Sequence, residues 1–394
     1  MEVLTSLLRG VVWLVAGVTL TLWVPPPQAR LPAHIPTRVT GRSATDPGPY
    51  LGDPPPCPCA DPALCLPVSR TLHKEVFVFS LHKENWSKYD WNKVTTIVEV
   101  GYHDDQLVCF AHSQGVRVVA IANVEPTVLT NATSRDRWTA RQVAWVVHNH
   151  LDGVNVDFEG EIDQGEGAER AGLTALVTQL AASLRATLTH SQVSFDFAWS
   201  PACVDKRCYD YASLASAVDY AFVMAYDERS QILGPCVAGP NSDLPLTQSG
   251  LQRYLAMGVP AHKLLLGVPW YGYRYPCLQY QGGVCTIRLV PFRGVNCSDA
   301  AGKQFDYNTV TGSFLPLSGE GRQWDQPSQT PYFTYQNATT KQIYQVWYDD
   351  PRSLNLKFNV ALDLDLGGVG VWEADDLDYN NASQVREMWG AFPY

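Results

Sequence analysis

Asp152-Gly153-Val154-Asn155-Val156-Asp157-Phe158-Glu159 is the stretch on which the reading of this chain turns. Val154, Val156 and Phe158 alternate with Asn155, Asp157 and Glu159, so as a strand the octet has one apolar face and one face carrying three polar groups in a row. On an outer strand that row would be only a solvated face. The flanks argue otherwise: Trp145, Val146 and Val147 lead in, and an acidic, Gly-rich loop from Gly160 to Gly167 leads out into a helix. A buried parallel strand whose loop opens at its C-terminal end is where barrel enzymes place their chemistry.

Outward from the octet the same alternation repeats. Glu75 to Phe79, Thr95 to Val100 and Arg117 to Ala122 are short β-branched and aromatic runs that read as buried strands. Asp104 and Asp105 open a helix with Leu107, Val108, Phe110 and Ala111 on one face, stopped by Gly115, and a second helix surrounds Trp138, Val143 and Val147. Beyond the octet, Leu173, Leu176, Val177, Leu180, Leu184 and Leu188 recur at helical spacing, which is core packing. Val193 to Trp199, Ala221 to Tyr226, Leu264 to Pro269 and Gly368 to Glu373 supply the remaining strands. A helix ends at Gly258 with Pro260 beyond it, and Asp350 caps another with Pro351 at its first position. The rhythm fails from about Tyr273 to Thr334, rich in Gly, Cys and Tyr, which reads as an inserted subdomain. The pattern predicts an α/β fold, a (β/α)8 TIM barrel spanning 57–394, with the insertion at about 273–334. A doubly wound sheet is the alternative; it would want a Gly-rich phosphate loop after an early strand, and none is present.

With 394 residues, 46% hydrophobic and 17% charged, the chain buries a large core, which excludes a disordered or fibrous protein. A net charge of −10 without clustered Lys and Arg excludes nucleic acid as the expected partner. Arg9 precedes an apolar run, Val11 to Val24, that Pro25 to Pro27 break; it is short for a bilayer span, so residues 1–29 read as a secretory signal peptide, with no membrane attachment after its removal. Residues 30–56 read as a Pro-rich spacer. Ten cysteines and glycosylation sequons at Asn85, Asn131, Asn296, Asn337 and Asn381 agree with an oxidising route. Cys57, Cys59 and Cys65 lack further ligands at zinc spacing, so disulfides are expected rather than metal, and Cys203 with Cys208 and Cys277 with Cys285 are near enough to close local loops. No cofactor is expected, and a monomer is the default.

In a barrel the functional groups sit where strands end: Glu159, then Tyr226 and Asp227, then Trp270, then Trp372 with Glu373. Each alone has a bland reading, a packing tryptophan or a helix cap, and their convergence on one rim is the argument. Asp157 and Glu159 project the same way, near enough for each charge to disfavour the other, so that one carboxyl stays protonated as an acid. Proton donation to a leaving oxygen beside developing charge on carbon is the chemistry of glycoside cleavage. A metal site built on Asn155, Asp157 and Glu159 would want more carboxylates or a His on adjacent strands.

Asp152-x-x-Asn155-x-Asp157-x-Glu159 resembles the Asp-x-x-Asp-x-Asp-x-Glu signature of family 18 glycoside hydrolases, the chitinase superfamily. Met224 to Asp227, Gly267 to Gly272, Tyr348-Asp349-Asp350-Pro351-x-Ser353 and Gly368 to Trp372 continue the resemblance across nearly all of the chain from about Cys57. The Asn at position 155, Cys57-Pro58-Cys59, Gln345 to Asp349 and Val290 to Gly294 are similar to a lysosomal member of the family.

The resemblance implies a retaining, substrate-assisted glycosidase, in which the sugar's own 2-acetamido oxygen is the nucleophile. Glu159 would be the general acid/base, Asp157 would orient the acetamide, and Tyr226 would bond its oxygen. Asp227, Trp270 and Trp372 would bind substrate. Asn155 would support Asp157 as a neutral hydrogen-bond partner, and Asp152, out of phase, would be structural support. The implied substrate is an oligosaccharide with N-acetylglucosamine at its reducing end, cut at the β-1,4 bond of the chitobiose core of free glycans in the lysosome. Two alternatives are a carbohydrate-binding lectin, which typically lacks the acid present here as Glu159, and a secreted chitinase, which more often carries an appended chitin-binding module.

Overall fold

The computed structural model describes residues 55–69 and 74–394. The signal-peptide reading of residues 1–29 and nearly all of the spacer, 30–54, lie outside the described residues. Eight parallel strands close a barrel. Seven are β1 (Glu75–Ser80), β2 (Thr96–Glu99), β3 (Arg117–Asn123), β4 (Gly153–Asp157), β5 (Gln192–Phe197), β6 (Tyr220–Met224) and β7 (Leu264–Pro269); the closing strand, Gly368–Trp372, pairs with both β7 and β1. The helices between them include α1 (Asp105–Ser113), α2 (Ala132–His148), α3 (Gly167–Thr187), α4 (Tyr211–Ala217) and α5 (Leu244–Ala256), with Pro351–Asp363 leading into the closing strand.

Strands buried on both faces need apolar or satisfied groups on both, and β1 shows how they divide. Val76 and Val78 pack outward against the helices, while Phe77 and Phe79 enter the barrel interior with Val98, Val119, Phe222 and Leu265. The Phe222 ring needs space that glycines supply: a Cβ on Gly267 would fall 2.3 Å from it, and one on Gly370 2.7 Å. Below this layer Glu75 is fully buried yet satisfied, accepting from Thr95, Thr96, Arg117 and Tyr220. The lower end of the barrel is therefore plugged, and the polar groups of the octet open only upward.

The insertion is a five-stranded antiparallel sheet of Tyr271–Pro276, Lys303–Asp306, Gln323–Asp325, Thr330–Gln336 and Ile343–Trp347. It begins one residue after β7 and continues past Thr334 through Trp347, because its final strand completes the sheet by pairing with its first. All ten cysteines pair: Cys57–Cys65, Cys59–Cys109, Cys203–Cys208, Cys236–Cys297 and Cys277–Cys285. The cysteines weighed above as a zinc cluster are thus committed to sulfur–sulfur bonds. Among the described residues no helix is long and apolar enough to cross a membrane.

Candidate active site

β4 enters the barrel at Gly153, where a Cβ would fall 1.8 Å from the Gln192 carbonyl oxygen, so only glycine admits β5 this closely. From there the pleat carries Val154 and Val156 to the helical side and Asn155 and Asp157 inward. Register with β5 sets Asn155 opposite Ser194. The Asn155 amide donates to Asp196 Oδ2 at 2.7 Å and its oxygen accepts from Ser194 Oγ at 2.6 Å. This corrects the expectation that Asn155 would partner Asp157 directly: both of its polar ends are engaged by side chains of β5. Its support reaches Asp157 through Asp196, whose charge faces that carboxyl.

Asp157 Oδ1 is buried with no hydrogen-bond partner. Burial, then the charge of Glu159, push the Asp157 carboxyl up to about 7, against the pull of the Arg207 guanidinium. Asp196 is driven well above its ordinary range by burial and by Asp157. Glu159 lies just beyond the strand, 41% exposed, with Oε2 paired to the Arg207 guanidinium. The paired-carboxyl expectation thus divides in a specific way: the group that retains its proton by burial is Asp157, while the charge of Glu159 is matched by a cation.

Around these carboxyls the rim assembles. Tyr226 follows β6, 8% exposed, its phenol raised well above 10 by burial and by the charges of Asp196, Glu159, Asp227 and Asp157. It therefore stays a neutral hydroxyl, able to donate its proton in a hydrogen bond. Asp227 Oδ1 accepts from Tyr271 at 2.6 Å and Tyr273 at 3.0 Å, which ties the rim to the first strand of the insertion. Trp372 lies at the end of the closing strand with its ring 5.1 Å from Phe79, forming the upper floor of the interior.

Trp270 is the residue the sequence misplaced. It is 1% exposed and packs against Trp389 and Phe392 on the helical side, while its backbone N–H donates to the Trp372 carbonyl at 2.9 Å. Being buried in that core, its ring is no platform for substrate. Asp152 is structural in a definite sense: Oδ1 accepts from Val68 N, and Oδ2 from Val118 N and His112 Nε2. Two residues were missed. Asp196 had a signal, since Ser194 and Asp196 alternate with Val193, Phe195 and Phe197 as the octet does. Arg207 had only its position inside the short Cys203–Cys208 loop.

These groups can protonate an oxygen at the rim, accept one N–H at Asp157 and donate one O–H from Tyr226. The model of glycosyl hydrolases family 18 matches residues 122–377. Di-N-acetylchitobiase of Rattus norvegicus is 43% identical over 85% of this chain and 92% of that protein, and the Homo sapiens protein of that name is 40% identical over 84% and 87%. A solved chitinase from Chromobacterium violaceum superposes with a TM-score of 0.63 at 18% identity, covering 81% of this chain and 97% of that one, which bears on the fold alone.

Proposed function

The chain belongs to family 18 of the glycosyl hydrolases and is a glycoside hydrolase, and on that premise we propose that it cuts the β-1,4 bond of the N,N′-diacetylchitobiose core of free glycans, releasing the reducing-end N-acetylglucosamine in an acidic, lysosomal compartment reached by secretion. The observation that carries the reading is the buried, unpartnered oxygen of Asp157 beside Glu159. A buried acceptor without a donor is costly, and a substrate acetamide N–H removes that cost.

In the reaction, protonated Glu159 gives its proton to the glycosidic oxygen as the C1–O bond breaks, the bonding pair remaining on the departing sugar. The acetamide oxygen, held by the Tyr226 hydroxyl, bonds to C1 from the opposite face and forms a cyclic oxazolinium ion. Asp157 accepts the acetamide N–H at its unpartnered oxygen, which holds the acetamide in place and stabilises the positive charge that develops on it. Water then adds to C1 as the bond between C1 and the acetamide oxygen breaks, its electron pair returning to the acetamide, and the water gives up a proton to Glu159; two inversions give net retention. Because the nucleophile belongs to the bound substrate, an advantage of up to roughly 7–11 kcal/mol lies in holding it correctly. Trp372 is the apolar surface under the sugar ring, and Asp227, fixed by the two tyrosines, is within the rim that meets the sugar hydroxyls. The relatives named di-N-acetylchitobiase support the substrate, and Glu159 argues against a lectin that binds without cutting.

Chitobiose-core oligosaccharides with a free reducing end, incubated at acidic pH, test this. Release of N-acetylglucosamine by the wild type and its loss in Glu159→Gln are expected. Equal release by both sinks the mechanism, and glycan binding without release supports the lectin. The same oligosaccharide with its reducing end blocked is expected to resist cleavage.

A further inference from the structure

Cys203, Asp205 and Lys206 have φ of 53°, 53° and 56°, three non-glycine residues in the left-handed region within one short loop. That region is strained for residues with a side chain, so such a run persists only where its surroundings over-determine it. They do so here. The Cys203–Cys208 disulfide closes the loop. Ile162 N donates to Lys206 O at 2.9 Å and Cys208 N donates to Ile162 O at 3.0 Å, which zips the loop to the segment that follows Glu159. Asp205 accepts from Ser230 Oγ at 2.7 Å and its N–H donates to Gln231 at 2.9 Å. Arg293, carried by the insertion, bridges the two segments, donating to the Asp205 carbonyl and, at 2.8 Å, to the Glu159 carbonyl.

What all this fastening fixes in space is Arg207. Its side chain is 10% exposed and pairs with the 41% exposed carboxylate of Glu159. A purely structural arginine would be expected to seat on Asp205, which is buried in the same loop. Instead Asp205 Oδ2 lies 3.5 Å away and Glu159 is the nearer partner. We propose that Arg207 is a positioning residue for Glu159: the disulfide-closed loop aims its guanidinium at the acid's carboxylate and fixes its direction. This rests on Glu159 being the acid. The other charged or titratable groups facing Glu159 include Asp157 on its own strand, Asp196 on β5, Tyr209 after the loop, Tyr226 after β6, Asp205 in the loop, and Arg293 with its partner Glu161.

The turnover number and KM for release of N-acetylglucosamine from a chitobiose-core oligosaccharide are measured for the wild type, Arg207→Met, Arg207→Lys, the pair Cys203→Ser/Cys208→Ser, and Glu159→Gln, each checked by thermal melting. Arg207→Met is expected to lower kcat roughly ten- to hundredfold with KM changed little. Arg207→Lys, a point charge without the planar fork, is expected to fall between it and the wild type. A folded Arg207→Met with the wild-type kcat overturns the proposal. Should that variant not fold, the cysteine pair decides, since it retains the arginine and loosens its loop: an unchanged kcat overturns the proposal there too. Wild-type activity in Glu159→Gln would instead remove the acid assignment itself, an outcome separable from every Arg207 result.

Discussion

Position 155 holds a neutral amide beside two carboxyls, Asp157 and Asp196, whose charges oppose each other. Asn155→Asp would add a third beside Asp196 and Asp157, so its cost should depend on pH: we expect about 1–3 kcal/mol lost at pH 8 and much less at pH 5, read from paired thermal melts. Asp157 carries the complementary expectation. Its folded-state pKa of about 7 lies above its ordinary 3.8, so the stability it contributes is complete below about 4 and is lost as pH rises through 7. Asp157→Asn cannot ionise and should melt higher than the wild type at pH 8, with the difference vanishing near pH 4, while losing nearly all activity. Glu159→Gln should lose about two to four orders of magnitude in kcat with its melting temperature little changed, since that carboxylate is partly exposed. That Asp157 and Glu159 sit together at the end of β4 was legible in the octet. Their partners were not, because Arg207 and Asp196 reach the site from other strands and loops.

At the scale of elements, strand parity decided what sequence reasoning had right. A buried parallel strand announces itself as a compact apolar run, and all eight were found, though bounds shifted where a run continued beyond its ladder, as at Tyr226 after β6. Trp270 was misread because the chain turns at Pro269 and the ring leaves on the opposite face from the rim, a one-residue matter that alternation cannot fix at a strand's end. The insertion's strands were missed because Tyr271–Pro276 mixes aromatic, glycine and arginine residues in an antiparallel sheet and lacks a simple period. Asp152 joins elements. His112 is buried, which disfavours its charge, yet the Asp152 carboxylate and the Leu64 carbonyl outweigh that and raise its pKa above 6.5. Its contribution is complete below 6.5 and is lost as pH rises through the folded value. His112→Asn should therefore cost about 2–4 kcal/mol at pH 5 and less at pH 8.5, measured by denaturant unfolding at the two pH values. Lys357 and Asp349, both wholly buried, form a second such pair, and Lys357→Ala should cost about 3–5 kcal/mol.

For the whole molecule most of these shifts share a sign, with Lys263 and Asp365, both lowered, running the other way. Burial raises Asp157, Asp196, Asp299, Glu228 to about 8, Asp376 to about 8 and Glu373 to about 10, and His103 and His112 are raised by their carboxylate partners. Every one of these groups binds its proton more tightly folded than unfolded, so each withdraws stability as pH rises. We expect the melting temperature to be highest on the acidic side of neutrality and to fall by several degrees between pH 5 and pH 8.5, a scan that runs opposite to ordinary acid denaturation. An acidic working compartment suits such a molecule.

Barrel closure also has a temporal side. β1 is made early and finds one neighbour, β2, at once, but its other neighbour is Gly368–Trp372, near the end of the chain. During synthesis seven strands must wait as an open sheet with two bare edges until that last strand leaves the ribosome, and an exposed edge is a template for pairing with other chains. A message truncated just before Gly368 should therefore yield not a weaker hydrolase but an aggregation-prone product retained by chaperones. Quality control during translation, rather than loss of chemistry, would then be the first consequence of losing the final strand.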